Sequence, residues 1–359
     1  FRELMYSLKD GFVDALVRGL KSELLSADDY DKIRQCESLA DLKLYLASKR
    51  YRSELQSESD GLDPTRLVQL CVNKFVKHFK QLVVLASEPL TTVFKYITYS
   101  FMIDNVVLIM AGAVQSRSFA ELSANCHPLG LFESIENLLI ASDVQAIYRL
   151  VLIDTPISSY FSECLGHHAL DETRIEFIRN SVHKAYLEDF VRVCQSFHDG
   201  SYHESVILDL IHFEADRRVI NISISALDTE MSESDKLRLF PACGSLFPAG
   251  QAELARCTSW EEIQIVIRTY ASSCPHFWRL RSVESGSLDK VLCEIESELC
   301  NRAFMSEAGH ALFVAYVKLY EQELRNIMWI AECLVQQQQS RIDEGLVYLA
   351  SKTTAIDLP

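Results

Sequence analysis

Apolar residues recur at helical spacing along most of this chain. Val13, Leu16, Val17, Leu20 and Leu24 mark a first helix. Leu67 to Leu85 keeps one apolar face, and Pro89 starts another helix that runs through Asp104 towards Ala113. Asp171 to Phe197 places Ile178, Val182, Tyr186 and Phe190 on one face, and Val206 to Leu227 continues as helix. Asn221 to Leu227 alternates as a strand would, but it lies inside that run. From His310 to Glu344 there is neither Gly nor Pro. Phe313, Tyr316, Val317, Tyr320, Leu324, Ile327, Ala331 and Leu334 form a stripe there, which predicts the longest helix of the chain. The fold class is therefore all-α.

Breaks fall where turn chemistry collects. Ser53 to Pro64, Gly112 to Ser118, Cys126-His127-Pro128-Leu129-Gly130, His198 to His203 and Ser282 to Ser287 read as loops. Thr155-Pro156 stops a helix begun at Ser142, and Phe240-Pro241 and Phe247-Pro248 bracket a turn holding Gly244 and Gly250.

Two patterns repeat in this frame. Capping boxes, or near relatives of them, occur at Ser38-Leu39-Ala40-Asp41, Ser142-Asp143-Val144-Gln145 and Ser259-Trp260-Glu261-Glu262. A polar interruption follows each one inside an apolar helix: Asp104-Asn105, Arg217-Arg218 and Arg325-Asn326, at distances of 66, 75 and 66 residues from the boxes. The matched order predicts three related helical units, 1–112, 113–228 and 229–359, the last holding the long C-terminal helix. Asp104, Arg217 and Arg325 take equivalent places in this register. Glu214 precedes Arg218 by four residues and Glu321 precedes Arg325 by four, spacings that favour intrahelical ion pairs.

Composition narrows the classes. The chain has 359 residues, 48% apolar, with only 12 Gly and 8 Pro, so it folds and does so mainly as helices. A formal charge of −15 argues against nucleic acid and anionic lipid as partners and favours neutral or basic protein partners. Eleven Cys without any C-x-x-C read as reduced thiols of a cytosolic protein. No stretch of eighteen uncharged apolar residues occurs, so no membrane span is expected; Tyr96 to Val114 comes nearest and is broken by Asp104 and Asn105. No charged-then-apolar leader opens the chain. Its first residue is Phe, so a few preceding residues are expected.

Catalytic signals are weak. Gly19-Leu20-Lys21-Ser22 lacks the upstream glycine of a phosphate loop, and Asp28-Asp29-Tyr30-Asp31 reads as helix-start carboxylates. His198-Asp199 has the residue types of a helical metal phosphohydrolase without the further ligands, and His167-His168 reads as a solvated turn. No cofactor, metal site or catalytic residue is assigned.

Seven stretches in order resemble the d subunits of vacuolar-type proton-pumping ATPases and, more distantly, the C subunits of archaeal-type rotary ATPases. They are Gly11 to Gly19, Tyr96 to Asn105, Cys126 to Gly130, Ile153 to Pro156, Phe213 to Arg218, Leu239 to Gly244 and Glu321 to Cys333. Departures fall at Ser53 to Pro64, Gln195 to His203, Cys274 to Ser287, Gln336 to Gln339 and the tail after Gly345. The resemblance implies three helical bundles arranged as a funnel and a non-catalytic rotor subunit. The implied partners are the proteolipid c-ring, the central stalk subunits D and F, and subunit a. The implied place is the cytoplasmic face of vacuolar, lysosomal, endosomal or other acidic-organelle membranes. Asp104, Arg217, Arg218, Glu321, Arg325 and Trp329 are the expected partner-binding or coupling residues. Two other readings stay open at this point: a cytosolic helical-repeat scaffold and a metal-dependent hydrolase using His198 and Asp199.

Overall fold

The computed structural model describes residues 2–56, 58, 61–141, 144–162, 172–197, 202–229, 231–271, 274–283, 285–305 and 309–349. Among these residues every regular element is helical. Three expectations lie outside them: the Ser142 box, the His167-His168 turn and the His198-Asp199 pair.

Serine chemistry starts the short helices. Ser38 accepts from Asp41 N–H while Asp41 reaches back to the Ser38 backbone, the full reciprocal box. Ser26 with Asp29 and Ser232 with Asp235 do the same. Ser259 accepts from Glu262 N–H, but Glu262 turns to Thr258 N–H at 2.7 Å, one residue before the cap. Ser118 caps a further helix through Glu121 N–H. Serine caps thus also open helices outside the predicted boxes, at Ser26, Ser118 and Ser232, so the box marks a repeat less sharply than its spacing suggests.

Two compact units form: Phe1–Glu88 with Gly200–Leu210 and Ser282–Pro359, and Pro89–Asp199 with Ile211–Arg281. Compactness and internal repetition are separate properties, since two repeats can share one core.

The first unit is built on the helix Ala311–Val335. It packs against Leu288–Met305, Pro64–Leu85 and Arg2–Ser22. Its residues are buried well beyond one stripe, from Ala311 and Leu312 to Gln322, Glu323 and Asn326. A helix covered on most sides belongs to an interior. Tyr320 sits against Phe75 with ring centroids 4.7 Å apart, and Tyr316 meets Tyr320 edge-on. This helix ends at Val335 and not near Glu344 as the sequence suggests. It also shares its 25-residue length with Leu90–Val114 and Glu172–Ser196. The stop comes from Gln337, which adopts φ 56 and lets Gln338 N–H bond back to Cys333 O at 2.8 Å. That six-to-one closure satisfies a terminal carbonyl without Gly or Pro.

The second unit centres on Leu90–Val114 packed against Glu172–Ser196. Tyr96 stacks on Phe190 at 4.9 Å, and Tyr186 donates to Tyr96 O at 3.0 Å. Leu90–Val114 is long and apolar enough to cross a membrane by length and composition, yet much of it is buried in this core. It ends like its counterpart: Ser116 takes φ 54 and Arg117 N–H bonds to Gly112 O at 2.9 Å. The turn Pro128–Gly130 lies directly on this helix. A Cβ at Gly130 would stand 2.3 Å from Phe101 O, so only glycine permits the approach. Pro156 follows the end of Val144–Asp154, as its sequence position predicts. Residues 221–225 are helical, within Tyr202–Ser225.

Candidate functional site

The six residues singled out in the sequence fall into two groups. In the second unit, Arg218 Nε lies 3.0 Å from Glu214, the expected intrahelical pairing, and Arg217 Nη2 lies 2.7 Å from the same carboxylate. Asp104 Oδ1 lies 3.0 Å from His183 Nε2, whose ring is buried. Burial and then the charge of Arg218 push the His183 imidazole down, so a neutral ring donates through Nε2 to Asp104. Burial works against the Asp104 carboxylate, but the hydrogen bond from His183 and the charges of Arg218 and Arg179 outweigh it and hold its pKa low. One electrostatic cluster thus joins Asp104, His183, Arg218, Glu214 and Arg217.

In the first unit, Glu321, Arg325 and Trp329 share one helix. Arg325 Nε donates to Gln322 at 3.0 Å, and Nη2 reaches Glu296 of Leu288–Met305 at 3.5 Å. Lys318 also holds Glu296, at 3.1 Å. Burial and the charge of Glu296 push the Cys300 thiol well up, with Glu321 adding to the shift and Lys318 and Arg325 opposing it. Trp329 does a different job. Its indole N–H donates to Ile342 O at 3.0 Å, and Gly345 lies flat against the ring, leaving no room for a Cβ. Trp329 therefore clasps the segment that follows its own helix.

Three buried polar residues play like parts on three helices: Asn105, Asp216 and Asn326 are each 2% exposed or less and each in mid-helix. Asn105 lies fifteen residues after Leu90, and Asn326 fifteen after Ala311. Each of the three side chains holds a backbone segment that comes later in the chain. Asn105 Oδ1 accepts from His127 N–H at 2.7 Å while its Nδ2 donates to His127 O at 3.0 Å. Asn326 makes the same reciprocal pair with Val347, at 3.2 and 2.6 Å. Asp216 accepts from Ser245 N–H at 2.9 Å and Leu246 N–H at 3.0 Å. Aligned on these three residues, Asp104 falls opposite Ala215 and Arg325, and Arg217 two places further on. The sequence signal they share is a single short polar side chain inside an apolar helix, with a turn about twenty to thirty residues later.

Asp216 differs from its two counterparts in carrying a charge. Burial raises its pKa to about 6 against the opposing hydrogen bonds from Leu246 and Ser245. The folded pKa lies above the unfolded value, so this group's contribution to stability is full below about pH 4 and is lost as pH rises through 6. The loss amounts to roughly 3 kcal/mol at 1.36 kcal/mol per pKa unit. Urea unfolding of Asp216→Asn is expected to show a flatter pH dependence across that window than the parent. An unchanged slope would show that Asp216 titrates as an ordinary carboxylate.

The chain matches the ATP synthase (C/AC39) subunit family over residues 13–345. It is 42% identical over 346 residues to the probable V-type proton ATPase subunit d of Oryza sativa subsp. japonica, covering 96% of this chain and 98% of the relative. It is 42% identical to V-type proton ATPase subunit d1 of Arabidopsis thaliana over 349 residues, covering 97% and 99%. The V-type proton ATPase subunit d of Saccharomyces cerevisiae is 36% identical over 343 residues, covering 94% and 97%.

Proposed function

Because the chain belongs to the ATP synthase (C/AC39) subunit family, we propose that it is the non-catalytic rotor subunit of a vacuolar-type proton pump, joining the central stalk to the membrane proteolipid ring. The carrying observation is the near end-to-end match to V-type proton ATPase subunits d. In this role the chain sits on the cytoplasmic face of an acidic-organelle membrane, receives stalk subunits D and F in a three-unit funnel, and meets subunit a beside the c-ring. ATP hydrolysed elsewhere turns the stalk, and this subunit passes the rotation to the ring that carries protons.

The three buried clamps suit such a part. A torque coupling must keep its loops in register with its helices under load. A hydrogen-bonded side chain that is buried resists shear far better than a solvated loop does. Asn105, Asp216 and Asn326 supply that hold once per repeat. In this reading the charged neighbours Asp104, Arg217, Arg218, Glu321 and Arg325, of which Asp104 and Arg325 are exposed, make contacts with stalk or ring.

Charge substitution tests the coupling role. Arg325→Glu combined with Arg217→Gln is expected to lower ATP-driven proton uptake by roughly tenfold while helicity is retained. Each carboxylate keeps a second cation, Glu214 through Arg218 and Glu296 through Lys318. Full proton uptake with intact assembly would remove these arginines from the coupling surface.

A further inference from the structure

The 3-10 helix Pro275–Ser282 has a sided composition that the coupling role does not use. With three residues per turn, positions three apart share a face. Phe277, Leu280 and Val283 are buried and anchor the segment. Trp278 and Arg281, also three apart, lie on another face, and the Arg281 guanidinium stacks 3.6 Å from the Trp278 ring. Trp278 remains 53% exposed after this stacking. Arg268, on Trp260–Tyr270, donates through Nε to Arg281 O at 2.8 Å and ties the two elements together. One turn before it, Ile265 is 60% exposed. Arg279 is exposed as well. Glu261, one turn before Ile265, bounds the patch.

The charge of this region runs against that of the chain. From Arg268 to Val283 there are three arginines and no carboxylate, in a protein of formal charge −15. An exposed Trp and Ile among arginines is the composition of an interface centre, where Trp and Arg carry the largest share of binding energy. We propose that Trp278, Arg279, Arg281, Arg268 and Ile265 form a docking surface for an acidic segment of a partner protein. An apolar side chain of that segment would seat on Trp278 and Ile265, and its carboxylates would meet the arginines.

Photocrosslinking in the intact protein tests this. Benzoylphenylalanine is placed at position 278 of the full chain in its native membranes, and adducts are mapped by mass spectrometry. The expected adduct is a net-negative segment of another protein. Its yield should fall roughly tenfold in Arg279→Glu/Arg281→Glu and fall likewise as salt is raised with the arginines intact. The salt series reads the charge dependence even where the double variant folds poorly. Adducts only with phospholipid, only with a second copy of this chain, or with none would overturn the proposal, as would a yield indifferent to salt. The charge of the captured segment decides the matter, and the identity of its owner bears separately on the pump reading.

Discussion

Arg50→Met is expected to lower the unfolding free energy by about 3–5 kcal/mol, among the largest effects of any single substitution in this chain. Glu323 is wholly buried in the helix Ala311–Val335. It accepts from Leu25 N–H and from the Tyr51 hydroxyl, both at 2.5 Å. Arg50 Nη1 lies 3.9 Å away with its side chain 2% exposed. The guanidinium also rests 4.5 Å from the Tyr320 ring centroid and touches His78 and the Tyr316 hydroxyl. Burial pushes the Glu323 carboxyl up, while Arg50 and Tyr51 pull it back. Removing Arg50 strands a carboxylate in the interior, where a lone charge is far costlier than a neutral pair. The deficit should be largest at neutral and alkaline pH and should shrink as Glu323 protonates in acid. Arg50→Met/Glu323→Gln should regain more than half of the loss, because no charge is then left unpaired. A single variant within about 1 kcal/mol of the parent would show that the pair contributes little, as exposed pairs do.

Asn326→Leu is expected to cost about 2–5 kcal/mol, from stranding both backbone groups of Val347 and the Gln322 amide that donates to Asn326 at 3.0 Å. Leu fits the volume but offers neither donor nor acceptor. The Tyr30 hydroxyl, which accepts from Asn326 Nδ2 at 3.0 Å, loses a partner in the same buried spot. The loss should read as a fall in Tm of roughly 5–10 °C. Hydrogen exchange should speed up at the Val347 amide and through Ile342–Gly345, the segment Trp329 clasps from the same helix. Asn326→Asp keeps the acceptor and loses the donor, so it should fall between Leu and the parent. Unaltered exchange at Val347 in Asn326→Leu would show that Trp329 holds the tail alone.

How much could be read from the sequence follows from the range of the interaction involved. Helix content was legible because the apolar period is local, and Pro156 ended its helix as local sterics require. The end of Ala311–Val335 was not legible, because glutamine rarely takes φ 56, as Gln337 does here. The buried clamps were not legible: Asn105 bonds to His127 and Asn326 to Val347, and no periodicity encodes which loop returns to which helix. The Arg50–Glu323 pair spans 273 residues of chain and left no trace in any local window. The stacked Trp278 and Arg281 needed the three-residue turn of a 3-10 helix, which sequence alone does not distinguish from a loop.

The rotor reading is tested most directly by purifying this chain with an affinity tag from detergent-solubilised membranes and identifying what comes with it. The account predicts recovery of the proteolipid ring together with the central stalk. Recovery of soluble proteins alone, with neither ring nor stalk, would contradict it.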